Sequence, residues 1–189
     1  MTGELLVGPS LRALFHQVER SARRLESRGR YDVVSEHGLL SRWRDGTVTV
    51  AEGADWYSDW TELVGAAVAA GRRFERVRVV PEPLTEYLRF ELWLAQFNAG
   101  AGEDVRYLAR GRASALDLPA HDFWLLDGER LALLYFTADD RLLGAEFITD
   151  PVVVARHERW LDQAQASATP YRDYLATDPA RERPQSGRG

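Results

Sequence analysis

With 189 residues, 45% hydrophobic and 11% aromatic side chains and a net charge of -5, the chain is long enough and apolar enough to bury a core, and its acidity argues against general nucleic-acid binding. All 24 basic residues are arginine, which excludes chemistry that needs a lysine amine, from the Walker phosphate site to Schiff bases. Cysteine is absent, removing thiol nucleophiles, disulfides and cysteine-ligated metal centres, and no apolar run approaches the length of a membrane span, so a cytoplasmic location is expected.

From Pro9 to Ser27, apolar residues at Leu11, Leu14, Phe15, Val18, Ala22 and Leu25 recur at the spacing of an amphipathic helix, with Arg12, Arg20, Arg23 and Arg24 outward. Residues 31–34 are expected to form a short strand. Residues 41–53 read as turn-rich, with a short strand at 47–50 between Gly46 and Gly53. Asp55 would cap a helix reaching Ala70, with Trp56 and Trp60 one turn apart on its apolar side and Gly71 as its stop. Residues 74–80 read as a strand that Pro81 and Pro83 terminate, and Pro83 opens a helix to about Ala99. After Gly100-Ala101-Gly102, residues 105–110 read as a second strand. Strand, helix and strand within about 35 residues is a crossover length and predicts a parallel pair.

A loop is expected after Arg110. Residues 122–127, 131–136 and 143–149 then read as three short strands joined by reversals at Asp127-Gly128-Glu129 and Ala138-Asp139-Asp140-Arg141, an antiparallel meander. Asp150-Pro151 opens a helix to about Ala168 with Val153, Val154, His157, Trp160, Leu161 and Ala164 inward, and Pro170 starts a last helical turn. The predicted fold is α/β: a mixed sheet with a strand-helix-strand crossover and a C-terminal antiparallel meander, helices packed on the sheet. Residues 1–176 form one domain in this reading, and 177–189, rich in Arg, Pro and Gly, form a flexible tail.

Charge, aromatic rings and a change of structure concentrate in residues 76–91. On a helical wheel, Glu91 and Asn98 project from the broad apolar face of the helix that starts at Pro83. Glu86 lies beside an aromatic stripe of Phe90, Trp93 and Phe97, and Arg89 falls in a polar strip. A buried carboxylate needs a partner, and the flanking strands offer arginines: alternation puts Arg76 with Arg78, and Arg106 with Arg110, on one face each. Two readings follow. One is an arginine-lined pocket in which Glu82, Glu86 and Glu91 orient Arg78 and Arg106 toward an anionic small molecule. The other is a buried ion-pair network that fixes strand and helix register. Arg89, Asn98, Asp122 and Trp124 complete the candidate ligand-binding set.

His121-Asp122, with Asp127 at the far end of its strand, is the acid/base candidate. The four histidines fall in no HxxxH or HExxH spacing, no GxSxG elbow occurs, and Gly100-Ala101-Gly102 follows a helix where a phosphate loop would precede one. No catalytic residue, metal or cofactor is therefore assigned.

The strings RVRVVPEPLTEYLRFE (Arg76 to Glu91), NAGAGEDVRYLAR (Asn98 to Arg110) and LPAHDFWLLDG (Leu118 to Gly128) resemble an uncharacterised family of actinobacterial proteins, over roughly Ser10 to Tyr174. Members of that family are typically encoded beside helix-turn-helix regulators of the sporulation and antibiotic-control type. A fainter resemblance, at residues 123–128 with the meander and closing helix behind them, is to one half of a phospholipase D-like fold. Active members of that superfamily use an HxK motif that a lysine-free chain lacks, so this resemblance implies a degenerate, non-catalytic copy. The resemblances together imply a non-enzymatic cytoplasmic regulatory or interaction protein with a helix-turn-helix regulator as partner, and neither direct nucleic-acid nor membrane binding is expected. A sensor of an anionic small molecule and an enzyme with a carboxylate or histidine site are the alternatives, and homo-oligomerisation is left open.

Overall fold

The computed structural model describes residues 5–177. In chain order these form α1 (Gly8–His16), β1 (Ser21–Glu26), a 3-10 turn (Val34–Glu36), α2 (His37–Arg44), α3 (Val50–Trp56), α4 (Ser58–Ala69), β2 (Arg73–Val80), α5 (Glu86–Gly100), β3 (Asp104–Ala109) and α6 (Arg110–Ala115). The meander β4 (Phe123–Leu126), β5 (Arg130–Phe136) and β6 (Leu142–Ile148) follows, then α7 (Pro151–Ser167), β7 (Thr169–Pro170) and α8 (Tyr171–Thr177). The expected tail lies, apart from Thr177, outside the described residues. Among those residues no helix is long and apolar enough to cross a membrane.

The architecture is the expected mixed sheet between helices. Strand order is β6-β5-β4-β1-β2-β3-β7, in which β1, β2 and β3 are parallel and the remaining pairs antiparallel. On the back face, Leu25, Val77, Val79, Leu108, Phe123, Leu125 and Leu131 pack beneath α6 and α7. On the front face, α1 and α4 cover one apolar cluster around Phe15, Val64, Phe74 and Trp124, while α2, α5 and α8 cover a second around Leu39, Leu88, Phe90 and Tyr107.

The crossover β2-α5-β3 and the meander form as predicted, and Asp150 caps α7 by accepting from the backbone N–H of Val152 and Val153. Helix α5 starts later than Pro83: Thr85 is its N-cap, accepting from Leu88 N–H at 3.2 Å.

Five expectations are corrected. The long helix over 9–27 is instead α1 followed by β1, the central strand. Ala22 and Leu25 keep a helical spacing in sequence but point to opposite faces, both fully buried, because β1 is covered on both sides and needs no apolar-polar alternation. Residues 31–34 form no strand; they run into the 3-10 turn. The turn-rich stretch at 41–53 holds α2 and α3, and α3 opens with a capping box between Thr49 and Glu52. Gly53 there is a contact residue, since a Cβ at that position would come within 2.3 Å of the Trp93 ring. The single helix expected from Asp55 to Ala70 is broken at Tyr57, which places Trp56 and Trp60 in different clusters. The stretch after Arg110 is α6, where a loop was expected.

Candidate functional site

The parallel register sets Arg24 beside Arg76 and Glu26 beside Arg78, so four charged side chains from two adjacent strands meet on the front face. Glu26 is the hub. Its carboxylate accepts from Arg76 Nη1 at 2.7 Å and Arg78 Nε at 2.5 Å, and Arg24 Nε lies 3.1 Å away. Arg76 Nε also donates to Glu103 at 2.7 Å, and Arg78 Nη1 approaches Glu91 at 2.6 Å. That last contact lacks an aligned N–H and is an ion pair more than a directed hydrogen bond. Asn98 Nδ2 donates to Glu103 at 2.5 Å, and Trp60 Nε1 reaches the same carboxylate at 3.3 Å.

Aromatic side chains close the sides of this seam. The guanidinium of Arg24 sits 5.2 Å from the Trp124 ring, and that of Arg76 sits 5.6 Å from it, both at cation–π range. Tyr57 and Tyr87 bracket the α5 side, with the Tyr87 hydroxyl 3.1 Å from Glu91. The seam lies between the two apolar clusters of the front face.

Electrostatics follow from burial. Glu26, Glu103, Arg76, Arg78, Asn98 and Glu91 are between 2% and 8% exposed, so the charges are out of water. Burial alone would raise the Glu26 carboxyl, yet the guanidiniums of Arg24, Arg78 and Arg76 outweigh it and hold the group far below the usual carboxylate range. Burial lowers Arg76 and Arg78, and the carboxylates beside them more than reverse that, so both stay cationic. Tyr57 is pushed up to about 12, chiefly by burial.

The sequence-predicted residues divide into two groups. Arg78, Glu91, Asn98 and Trp124 are members of the seam. Asp122, 1% exposed, borders it: it accepts from Ser27 N at 2.8 Å and from the Tyr31 hydroxyl, with Arg24 Nη2 4.0 Å away. Glu82, Glu86 and Arg89 are exposed on the surface, where Glu86 pairs with Arg44. Arg106 does not join Arg78. It projects from the back face in register with Val77, held by Asp104 at 3.0 Å, because adjacent positions on a strand point to opposite faces. Arg110, expected on the same strand face, instead begins α6 and donates to Ser27 O at 2.9 Å.

The acid/base candidate is also separated. His121 turns to His157, with the two Nε2 atoms 3.1 Å apart, and burial lowers both rings. Asp127 accepts from the backbone N–H groups of Glu19, Arg20 and Ser21, fixing the entry into β1. Among the described residues, no three His, Asp or Glu side chains converge as a metal-ligand set. A shallow cleft of about 270 Å³ lies between Gly128, Thr149 and α7, and no seam residue lines it.

Sequence reasoning missed Arg24, Glu26 and Glu103. The first two were hidden by the helical reading of 9–27; once β1 is known, their two-residue spacing matches that of Arg76 and Arg78. Glu103, in the short connection after α5, carries no pattern that marks it.

No curated protein matches the chain. A family model does, over residues 9–176, which spans every element from α1 to α8: the chain belongs to the family described as a domain of unknown function, DUF6879.

Proposed function

We propose that the protein is a non-enzymatic cytoplasmic regulatory protein that binds a helix-turn-helix transcriptional regulator. The observation that carries this reading is the direction of its charges: the arginines that would hold an anionic ligand are committed to internal carboxylates. Recognition then falls to the surface. There the outer hairpin of the sheet presents Tyr135, Leu142, Leu143 and Phe147 at 39–50% exposure. The net charge of -5 complements the basic surface that DNA-binding domains carry. The resemblance to proteins encoded beside such regulators supports the same choice of partner.

A pull-down of the purified chain with a helix-turn-helix regulator of the kind encoded beside members of the resembled family tests the reading. A stable complex that Leu143→Glu or Phe147→Glu abolishes, with circular dichroism unchanged, is the expected result. Absence of any complex between the two purified proteins would overturn it.

A further inference from the structure

One end of the buried seam reaches the surface through the 3-10 turn. Tyr87, on the first turn of α5, places its hydroxyl 2.9 Å from Glu36 Oε2 and 3.1 Å from Glu91 Oε1. A phenol has one hydrogen and can donate it to one carboxylate only. Were both carboxylates ionised, lone pairs would face each other across one of these contacts in a half-buried site, with no proton between them. The distances therefore require a second proton in the chain.

Its position follows from the neighbours. Glu91 has Arg78 Nη1 at 2.6 Å and is the natural anion of the pair. From β1, the Glu26 carboxylate adds to the negative field, and Arg78 of β2 is shared between Glu26 and Glu91. On the flanks of the turn, His37 and Arg141 are engaged by Asp32 and do not neutralise Glu36. From α3, Trp56 Nε1 donates to the backbone oxygen of Ser35 at 3.2 Å.

We propose that Glu36, Tyr87 and Glu91 form a proton latch: the protonated Glu36 carboxyl donates to the Tyr87 oxygen, Tyr87 donates to the Glu91 carboxylate, and the chain fastens the 3-10 turn and α2 onto α5. Loss of that proton leaves two carboxylates against one phenol and one shared guanidinium, and the turn lets go. Burial first and Glu91 second raise Glu36 to about 8, which brings release within reach of mildly alkaline conditions. Because the folded protein holds this proton more tightly than the unfolded chain, the latch contributes fully below the ordinary carboxylate range near 4.5. Its contribution falls as pH rises and is spent once pH passes about 8.

Thermal melting and limited proteolysis of the full chain from about pH 6 to about pH 9.5 test this, with E36Q as the comparison, since Gln keeps a donor toward Tyr87 and cannot titrate. The wild type should lose melting temperature across that range and gain cleavage sites in residues 34–44, while E36Q stays flat in both. Parallel profiles for the two proteins would overturn the latch. Should E36Q fail to fold, carbon-detected NMR of the Glu36 carboxyl in the wild type decides: a midpoint near 8 supports the proposal, and one in the ordinary carboxylate range sinks it.

Discussion

On the back of the sheet, Leu25, Val77, Leu108, Phe123 and Leu131 form an apolar layer beneath α7, with the Arg23–Glu75 pair and Arg106 toward the N-terminal ends of the strands, whereas on the front the same parallel strands present Arg24, Glu26, Arg76 and Arg78. The two faces contribute different things. Apolar burial is non-directional, and a slip of β1 by two residues would set Leu25 beside Val79 with little change on the back face. On the front the same slip would set Arg24 beside Arg78 and Glu26 beside Val80, so that two guanidiniums are level with each other and Glu26 loses Arg76. The back layer supplies adhesion; the front seam discriminates among registers that adhesion alone would accept.

The comparison can be broken at its hub. Replacing Glu26 with Ala leaves Arg24, Arg76 and Arg78 buried against one another, and a loss of about 3–5 kcal/mol is expected in urea unfolding. A change below about 1 kcal/mol would mean that the arginines find water or other carboxylates, and that the seam is not closed. On the back, Leu161→Ala should cost about 2–4 kcal/mol through its cavity. Combined with Glu26→Ala, the losses should add to within about 0.5 kcal/mol, because the two residues lie on opposite faces and share no partner. A strongly non-additive double variant would show that the faces are coupled through the strands.

The faces also differ toward acid. The lowered His121 and His157 favour the neutral pair, so the unfolded chain binds more protons near neutrality. The stability they contribute is present above the unfolded histidine value near 6.5 and is lost as pH falls through their depressed folded values. His121→Gln should flatten that acid-side decline in a melting profile and leave the alkaline side, where Glu36 titrates, unchanged. The smallest effect is expected at Tyr107. Its hydroxyl is buried with no hydrogen-bond partner among the described residues, so Tyr107→Phe should be neutral or stabilising by up to about 1 kcal/mol; a clear loss would reveal a partner for that oxygen.

Legibility in the sequence tracked how local the determining contacts are. Pro81, Pro83 and Gly102 punctuate β2-α5-β3 within a few residues of its boundaries, and Asp127-Gly128 and Asp150-Pro151 do the same for the meander and α7, so those elements were readable. Glu91 and Asn98 stood out because a wheel is a local construction. β1 was not readable: its edges are paired with β2 and β4, its faces are covered by α4 and α7, and what remains in SARRLE mimics the polar side of a helix. The seam inherited that gap, since its hub Glu26 and the neighbouring Arg24 sit on β1. Arg106 was misassigned for a simpler reason. Alternation relates residues along one strand, but only the register between strands says that Arg78 is level with Tyr107, and that Arg106 therefore faces the other way.

The place of β1 in the sheet also orders events in time. Its hydrogen-bonding neighbours lie about 50 residues away in β2 and about 100 residues away in β4, as the Glu26–Arg78 and Ser27–Asp122 contacts record. Contacts so distant along the chain close slowly and late. During synthesis β1 leaves the ribosome before either neighbour exists, and a nascent chain ending before residue 123 has β2 to offer it but nothing for its other edge. The first strand made thus waits for the fourth before both of its edges are paired, and premature termination anywhere before the meander strands an open edge at the centre of the molecule.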